Sequence, residues 1–241
     1  MHTIKDAAVA MYSTLADYYD ALVGDDEAVQ EWVSWIDTFA PKGSFLELAC
    51  GSGEITLQLA KTRKVEALDL SQNMVDHARS KDAEGRIAFH CCNMLDLSGF
   101  GTYDAVGCFC DSINYLLEDS QMETFFKECA DHLKPGGILL FDTHSLDRIE
   151  EFEEGYDEAG QFEDGTQVQW LISSENDLIY QDFTFYFEDE VLIEHHLQRV
   201  YTPKQLEKWI EPYFTTLSIK TDFDTEGIAP GEKYFYALQK K

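Results

Sequence analysis

The chain has 241 residues, with 18 Lys and Arg against 46 Asp and Glu, a formal charge of −28 at neutral pH. That length suits one large α/β domain or a domain with a small subdomain, and 44% hydrophobic with 13% aromatic residues supply an ordinary core, which excludes general disorder. Such a chain lacks the clustered Lys and Arg that grip nucleic-acid phosphates or an anionic membrane surface, and the charge by itself reads as solubility.

The first forty residues read as helices: Leu15, Tyr18, Tyr19 and Leu22 have helical spacing, Val29, Trp32, Ile36 and Phe39 repeat it, and Pro41-Lys42-Gly43 ends the segment. Strand and helix then alternate. Phe45 to Cys50 is a strand, Ile55 to Ala60 a helix, Val65 to Leu70 a second strand, and Ser71 caps a helix carrying Met74, Val75 and Ala78. Ile87 to Cys92 and Tyr103 to Cys110 are the third and fourth strands. Ser120 and Glu123 predict a capping box for a helix with Met122, Phe125, Phe126 and Cys129 on one face. Lys134-Pro135-Gly136-Gly137 stops it before a fifth strand, Ile138 to Phe141. Near-continuously apolar strands separated by helices imply a parallel sheet covered on both faces.

The pattern breaks after Ser145. Residues 147–165 hold nine acids and one base. Three strand-like runs follow, Val168 to Ser173, Leu178 to Phe187 and Val191 to Tyr201, and they read as an inserted antiparallel meander. Thr202-Pro203 with Gln205 starts a last helix. Thr216 to Phe223 and Tyr234 to Leu238 close the chain as strands. The expected fold is α/β: a doubly wound, Rossmann-like, seven-stranded mixed sheet with a small antiparallel β insertion.

No apolar stretch approaches the ~20 residues of a membrane-spanning helix, and the opening Met1-His2-Thr3-Ile4 lacks signal-peptide character. Cys50, Cys91, Cys92, Cys108, Cys110 and Cys129 form no CxxC pair, and five of the six lie in apolar runs. They read as small core residues of a reduced, cytoplasmic protein.

The most informative segment is Phe45-Leu46-Glu47-Leu48-Ala49-Cys50-Gly51-Ser52-Gly53-Glu54. A strand runs into a glycine-rich turn and then a helix, so Gly51 and Gly53 let backbone approach a ligand at the helix N-terminus. In an open sheet this loop lies at the carboxyl ends of the strands, where ligands bind. Asp69 ends the next strand, 16 residues after Gly53, and can accept both hydroxyls of a ribose. Asn93 and Met94 follow the third strand, where an adenine would lie. A dinucleotide fingerprint wants Gly or Ala where Thr56 stands, which argues against an NAD oxidoreductase.

Over residues 40–145 the chain resembles class I S-adenosylmethionine (SAM)-dependent methyltransferases, and its closing strands resemble theirs more loosely. Glu47 to Gly53 is similar to the family's Asp/Glu-x-Gly-x-Gly-x-Gly loop, with Ala49 in place of the first Gly. Asp69 matches the acidic ribose ligand. Asn93-Met94 matches the adenine-side Asp and its apolar neighbour, keeping an acceptor oxygen but not the charge. Residues 103–116 and the turn Leu133 to Gly137 resemble the family's fourth strand and the approach to its fifth. The chain also resembles amine methyltransferases with an inserted antiparallel lid, and Tyr12 to Asp20 is similar to their cofactor-covering helix. The resemblance implies four segments: a helical lid at 1–40, a SAM-binding core at 41–145, a substrate lid at 146–201, and the closing helix and strands at 202–241. It implies SAM held by Tyr12, Glu47, Ala49, Cys50, Gly51, Gly53, Asp69, Leu70, Met74, Asn93, Met94 and Cys110, in a monomer or homodimer.

Methyl transfer from a sulfonium is an in-line displacement that needs no metal, and alignment in a dry pocket is worth up to ~7–11 kcal/mol. A base matters only when the nucleophile arrives protonated. Asp111, Asn114, Tyr115, Asp142 and His144 end strands four and five, and the expected catalytic set is Asp111, His144 and Tyr19. Tyr12, Tyr19 and Trp32 are candidates to wall the pocket as aromatic faces for a cation. His195 and His196 face opposite sides of a strand without a companion ligand, so no metal site is expected. The expected acceptor is the nitrogen or oxygen of a small molecule. An RNA site, a protein side chain and a non-catalytic SAM-binding module stand behind it. Residues 145–200 hold 16 acids and 2 bases, which raises the expectation that an acidic lid draws in a cationic amine.

Overall fold

The computed structural model describes residues 14–241. Two helices come first, α1 (Leu15–Val23) and α2 (Asp26–Phe39), the second capped by Asp25, whose side chain accepts from Glu27 and Ala28 N–H. There follow β1 (Ser44–Leu48), α3 (Glu54–Leu59), β2 (Lys64–Asp69), α4 (Gln72–Lys81), β3 (Ala88–Cys91), β4 (Tyr103–Cys108) and a 3₁₀ turn (Ser112–Tyr115). Next are α5 (Asp119–Asp131), β5 (Leu133–His144) and α6 (Asp147–Phe152), and then the inserted strands β6 (Tyr156–Gln161), β7 (Gln167–Glu175), β8 (Leu178–Tyr186) and β9 (Val191–Arg199). The described chain closes with α7 (Pro203–Ile210), β10 (Phe214–Thr221), β11 (Thr225–Glu226) and β12 (Lys233–Lys240).

The main sheet has the order β11-β10-β12-β5-β4-β1-β2-β3. Strands β1 to β5 pair in parallel, while β12 is antiparallel to β5 and β10 antiparallel to β12. Chain order reverses between β1 and β4, and that reversal opens a crevice at the strands' carboxyl ends. The sheet has eight strands because the two-residue β11 returns beside Lys220 and Thr221 at its edge. One face buries Val106, Met122, Phe125, Phe126, Phe141 and Trp209; the other buries Trp32, Trp35, Phe45, Phe109, Ile138 and Phe235.

Several expectations need correcting. Trp32 is 7% exposed, and its ring lies 5.3 Å from Phe109 and 5.1 Å from Phe235, so it is core and not pocket wall. The capping box of α5 belongs to Glu118 and Gln121, two residues before the expected Ser120 and Glu123, so the helix starts at Asp119. Cys50, Cys108 and Cys129 are buried, but Cys91 and Cys110 are exposed, because both stand where strands run out at the crevice. The insertion has four strands, in the order β6-β7-β8-β9. Every residue of β6 is exposed, which leaves no alternation of apolar and polar residues to read.

The inner face of the inserted sheet presents Val168, Phe183 and Phe185, and α1 lies on it through Leu15 and Tyr18. The Tyr18 ring is 4.5 Å from Phe162 and 5.5 Å from Phe185. On its other side α1 reaches the core, where Asp20 pairs with His77 at 2.8 Å and with Lys81, both on α4. Strand β9 is tied to the core by Asn114, whose Nδ2 donates to Arg199 O at 2.7 Å and Thr143 Oγ1 at 3.0 Å. Of the acids between 145 and 200, only Glu194 is buried; the others reach solvent, so the solubility reading of that charge returns.

Gly107, next to the last residue of β4, marks a tight fit. A Cβ there would stand 2.3 Å from Phe109 Cζ and 2.8 Å from Phe45 Cζ, both in rings locked in the core. Gly107→Ala is expected to lower stability by about 1–3 kcal/mol, the usual cost of overpacking, read as a lower urea midpoint at unchanged slope.

Candidate active site

The crevice has two halves. The first is built at the ends of β1, β2 and β3. Ala49, Gly51 and Gly53 all take left-handed φ, of 52°, 52° and 82°. A Cβ on Gly51 would meet nothing within 4 Å, so the loop leaves an open cradle there. A Cβ on Gly53 would stand 2.9 Å from Ala78 Cβ, so that glycine lets the loop close on α4. Gly51 N–H donates to Asp69 Oδ2 at 2.9 Å and Ser71 N–H to Asp69 Oδ1 at 2.8 Å. Each carboxylate oxygen therefore keeps a lone pair, the pair of acceptors that the two hydroxyls of a ribose diol require. Burial raises the Asp69 carboxyl, against the pull of these N–H groups.

Glu47 is 2% exposed and accepts from Thr56 Oγ1 at 2.7 Å. Burial pushes its carboxyl up to about 8, with Thr56 opposing. Cys50 is buried beside the loop, Leu70 is 43% exposed, and Met74 is buried at the start of α4. Asn93 is exposed, its Oδ1 accepting from Leu95 N–H at 2.9 Å, and Met94 is half-buried. Tyr12 lies outside the described residues.

The second half lies at the ends of β4 and β5. Cys110 and Asp111 are consecutive left-handed residues, with φ of 55° and 51°. Lys233 Nζ donates to Asp111 Oδ1 at 2.5 Å and lies 3.3 Å from Asp142 Oδ2. Asp142 Oδ2 also accepts from Asp111 N–H at 2.9 Å. Gln198, from β9, donates its Nε2 to Asp111 Oδ2 at 2.6 Å. Burial opposes the ionisation of Asp111, but Lys233 and His144 outweigh it and hold the carboxyl at about 2. Burial raises Asp142 to about 6, Lys233 restraining the rise and Asp111 adding to it.

This network fixes the protons on His144. Ionised Asp111 can only accept, so Gln198 turns its nitrogen to Asp111 and its Oε1 to His144 Nε2, 2.9 Å away. Nε2 therefore carries the proton, and burial lowers the imidazole's affinity for a second one. Tyr19, on α1, stands near Cys110, Asp111, Tyr115 and Lys233; burial, then Cys110, Asp111 and Tyr115, drive its phenol well above the usual value, with Lys233 opposing.

The structure thus brings Asp111, His144, Tyr19 and Cys110 into one cluster and the glycine loop, Asp69 and Asn93 into another. Sequence reading missed Lys233 and Gln198. Lys233 begins β12 and is placed only by antiparallel register, opposite His144. Gln198 is one of several glutamines on the inserted sheet, and the sequence carries no sign that it reaches the core.

An open α/β sheet with a glycine-rich loop at the ends of β1 and β2 and an antiparallel β12 beside β5 is the fold of the methyltransferase class. The family described as methyltransferase domain matches residues 45–137. The chain is 34% identical to the methyltransferase-family protein YqeM of Bacillus subtilis over 241 residues, spanning 95% of this chain and 97% of that protein. It is 31% identical over 128 residues to a dTDP-3-amino-3,6-dideoxy-alpha-D-glucopyranose N,N-dimethyltransferase of Streptomyces fradiae, covering 52% of this chain and 49% of that one. The crystal structure of a SAM-dependent methyltransferase from Clostridium acetobutylicum superposes with a TM-score of 0.81 at 25% identity, covering 95% and 98% of the two chains. The chain belongs to the class I SAM-dependent methyltransferases.

Glu47 supplies a pH test of the buried loop. Between its ordinary value near 4.5 and the raised value of about 8, the folded chain keeps a proton that the unfolded chain loses. Stability therefore falls as pH rises through that window, by up to ~1.4 kcal/mol per unit. Glu47→Gln is expected to remove that component. Denaturation of the two proteins at pH 6.5 and 8 should show the variant gaining on the wild type at the higher pH.

Proposed function

We propose that the enzyme transfers a methyl group from SAM to a nitrogen or oxygen of a small molecule held between the α/β core and the inserted sheet. The observation that carries this is the junction at Asp111, where Lys233 from β12 and Gln198 from β9 meet one carboxylate beside the glycine-loop crevice. An acceptor seated there would touch core and insertion at once. The N,N-dimethyltransferase likeness supports an amine nitrogen as the acceptor.

Bound SAM supplies an electrophilic methyl on a sulfonium, so the protein's task is holding and aligning. In this reading Asp69 holds the ribose. Gly51 and Cys50 offer backbone to the amino-acid end, with Glu47 beneath. Leu70, Asn93 and Met94 border the adenine, with Met74 under it. Asp111 and Tyr19 border the acceptor, and His144 positions Gln198 through Nε2, its bare Nδ1 being buried. Asp111, paired to Lys233, is a weak base that serves as a fixed hydrogen-bond acceptor. No helix among the described residues is long and apolar enough to cross a membrane.

Calorimetry with S-adenosylhomocysteine tests the cofactor half. Asp69→Ala should weaken binding more than about tenfold, from the loss of two charge-assisted hydrogen bonds. Unchanged affinity would move the ribose elsewhere. Methyl-labelled SAM offered with a panel of aminosugars, simple amines and hydroxylated metabolites tests the acceptor half. Labelled product only from RNA would overturn the small-molecule reading.

A further inference from the structure

Three side chains that the cofactor and Asp111 networks do not use stand in line across the acceptor side of the crevice. Tyr115 ends the 3₁₀ turn after β4, and its hydroxyl lies 3.0 Å from His196 Nδ1. His196 is 2% exposed on the inner face of β9, and its Nε2 lies 3.8 Å from Glu194 Oε2, two residues back on the same face. Glu194 Oε1 accepts from the N–H groups of Leu15, at 2.8 Å, and Thr14, at the start of α1. Burial opposes ionisation of Glu194, but His196 and those two N–H groups hold its carboxyl below the usual range. The Phe183 ring packs edge-on at 5.3 Å from the imidazole. Strand alternation sends the neighbouring His195 to solvent, where it pairs with Asp182 at 2.7 Å.

We propose that Tyr115, backed by His196 and Glu194, takes the proton that the methyl acceptor gives up. This rests on the methyltransferase reading. Elimination supports it: Asp111 is neutralised by Lys233, and His144 is 4% exposed, its Nε2 held by Gln198 and its bare Nδ1 buried. A phenol is too weak an acid to sit ionised, so it needs a group behind it to receive its own proton, and a buried imidazole facing a carboxylate is that group. As the acceptor nitrogen or oxygen bonds to the methyl carbon, the methyl–sulfur bond breaks and its electron pair stays on sulfur. The acceptor's proton passes to Tyr115 Oη, and the phenol's proton passes to His196 Nδ1. The resulting imidazolium carries its second N–H toward Glu194. Tyr115 is the catalytic residue; His196 and Glu194 act through it. Because Glu194 also holds the N-terminus of α1, the relay is complete only when that helix lies on the inserted sheet.

Two measurements test the relay. In ¹⁵N-histidine-labelled protein saturated with S-adenosylhomocysteine, the His196 signals, assigned with His196→Gln, should show a bare Nδ1 and a protonated Nε2. A proton on Nδ1 would overturn the proposal whatever the acceptor is. With an acceptor from the labelled-methyl panel, Tyr115→Phe should lower kcat by about 10²–10⁴ while leaving S-adenosylhomocysteine affinity unchanged. Glu194→Gln keeps the oxygen that caps α1 but loses the charge, so the acid limb of the pH–rate profile should move to lower pH. A purely structural Glu194 would leave that limb in place, and wild-type kcat in Tyr115→Phe would also sink the relay. Failure of the methyltransferase reading is distinct: the wild type itself would then bind no S-adenosylhomocysteine.

Discussion

The ion triad of Asp111, Lys233 and Asp142 is the constraint on which the second half of the crevice depends. Two successive left-handed residues cost roughly 1–2 kcal/mol each, and neither Cys110 nor Asp111 is a glycine that could adopt that geometry freely. The turn persists because Asp142 takes the Asp111 N–H and Lys233 bridges the two carboxylates. Without the cation, two acids would share a site from which water is largely excluded. A buried ion pair gains little unless its remaining hydrogen bonds are met, and here Gln198 supplies the one that Asp111 Oδ2 still needs. Strain of this kind collects at functional sites, since it aims groups that a relaxed turn would point elsewhere.

The triad also explains how an insertion in the middle of the chain becomes part of the site. Lys233 comes from the last strand, Asp111 and Asp142 from adjacent parallel strands, and Gln198 from the inserted sheet. Asn114 and Arg199 fasten the same strand to the core a short distance away. Helix α1 then lies between insertion and core, gripped by aromatic packing on one side and by the Asp20 ion pairs on the other. Burial raises the Asp20 carboxyl, but His77, Lys81 and Ser52 lower it further, and Ser52 stands between the two loop glycines. The helix therefore bridges the insertion and the core helix α4.

The five parallel strands and the glycine loop were legible because each rests on local chemistry: apolar runs, caps, and glycines where backbone must bend. The place of Asp69 at the end of β2 was legible for the same reason. The acidic strand β6 was not, because a strand exposed on both faces has no hydrophobic period. Lys233 and Gln198 were not, because their roles depend on register between segments far apart in the chain. His196 was visible only as one of an adjacent pair, and strand alternation alone could not say which of the two faces inward.

The charge of −28 counts every carboxylate as ionised, and the folded chain does not hold it evenly. Glu47 is raised to about 8 and so keeps its proton at neutral pH, while Asp111 is matched by Lys233 and Glu194 faces His196. The acids of the insertion apart from Glu194 reach solvent, where salt screens their field within a Debye length of about 8–10 Å. Within the crevice one cation, Lys233, is shared by the carboxylates of Asp111 and Asp142. Asp111, so paired, is a fixed acceptor and a weak base, and a nitrogen that arrives as an ammonium has no lone pair to attack with until its proton is removed.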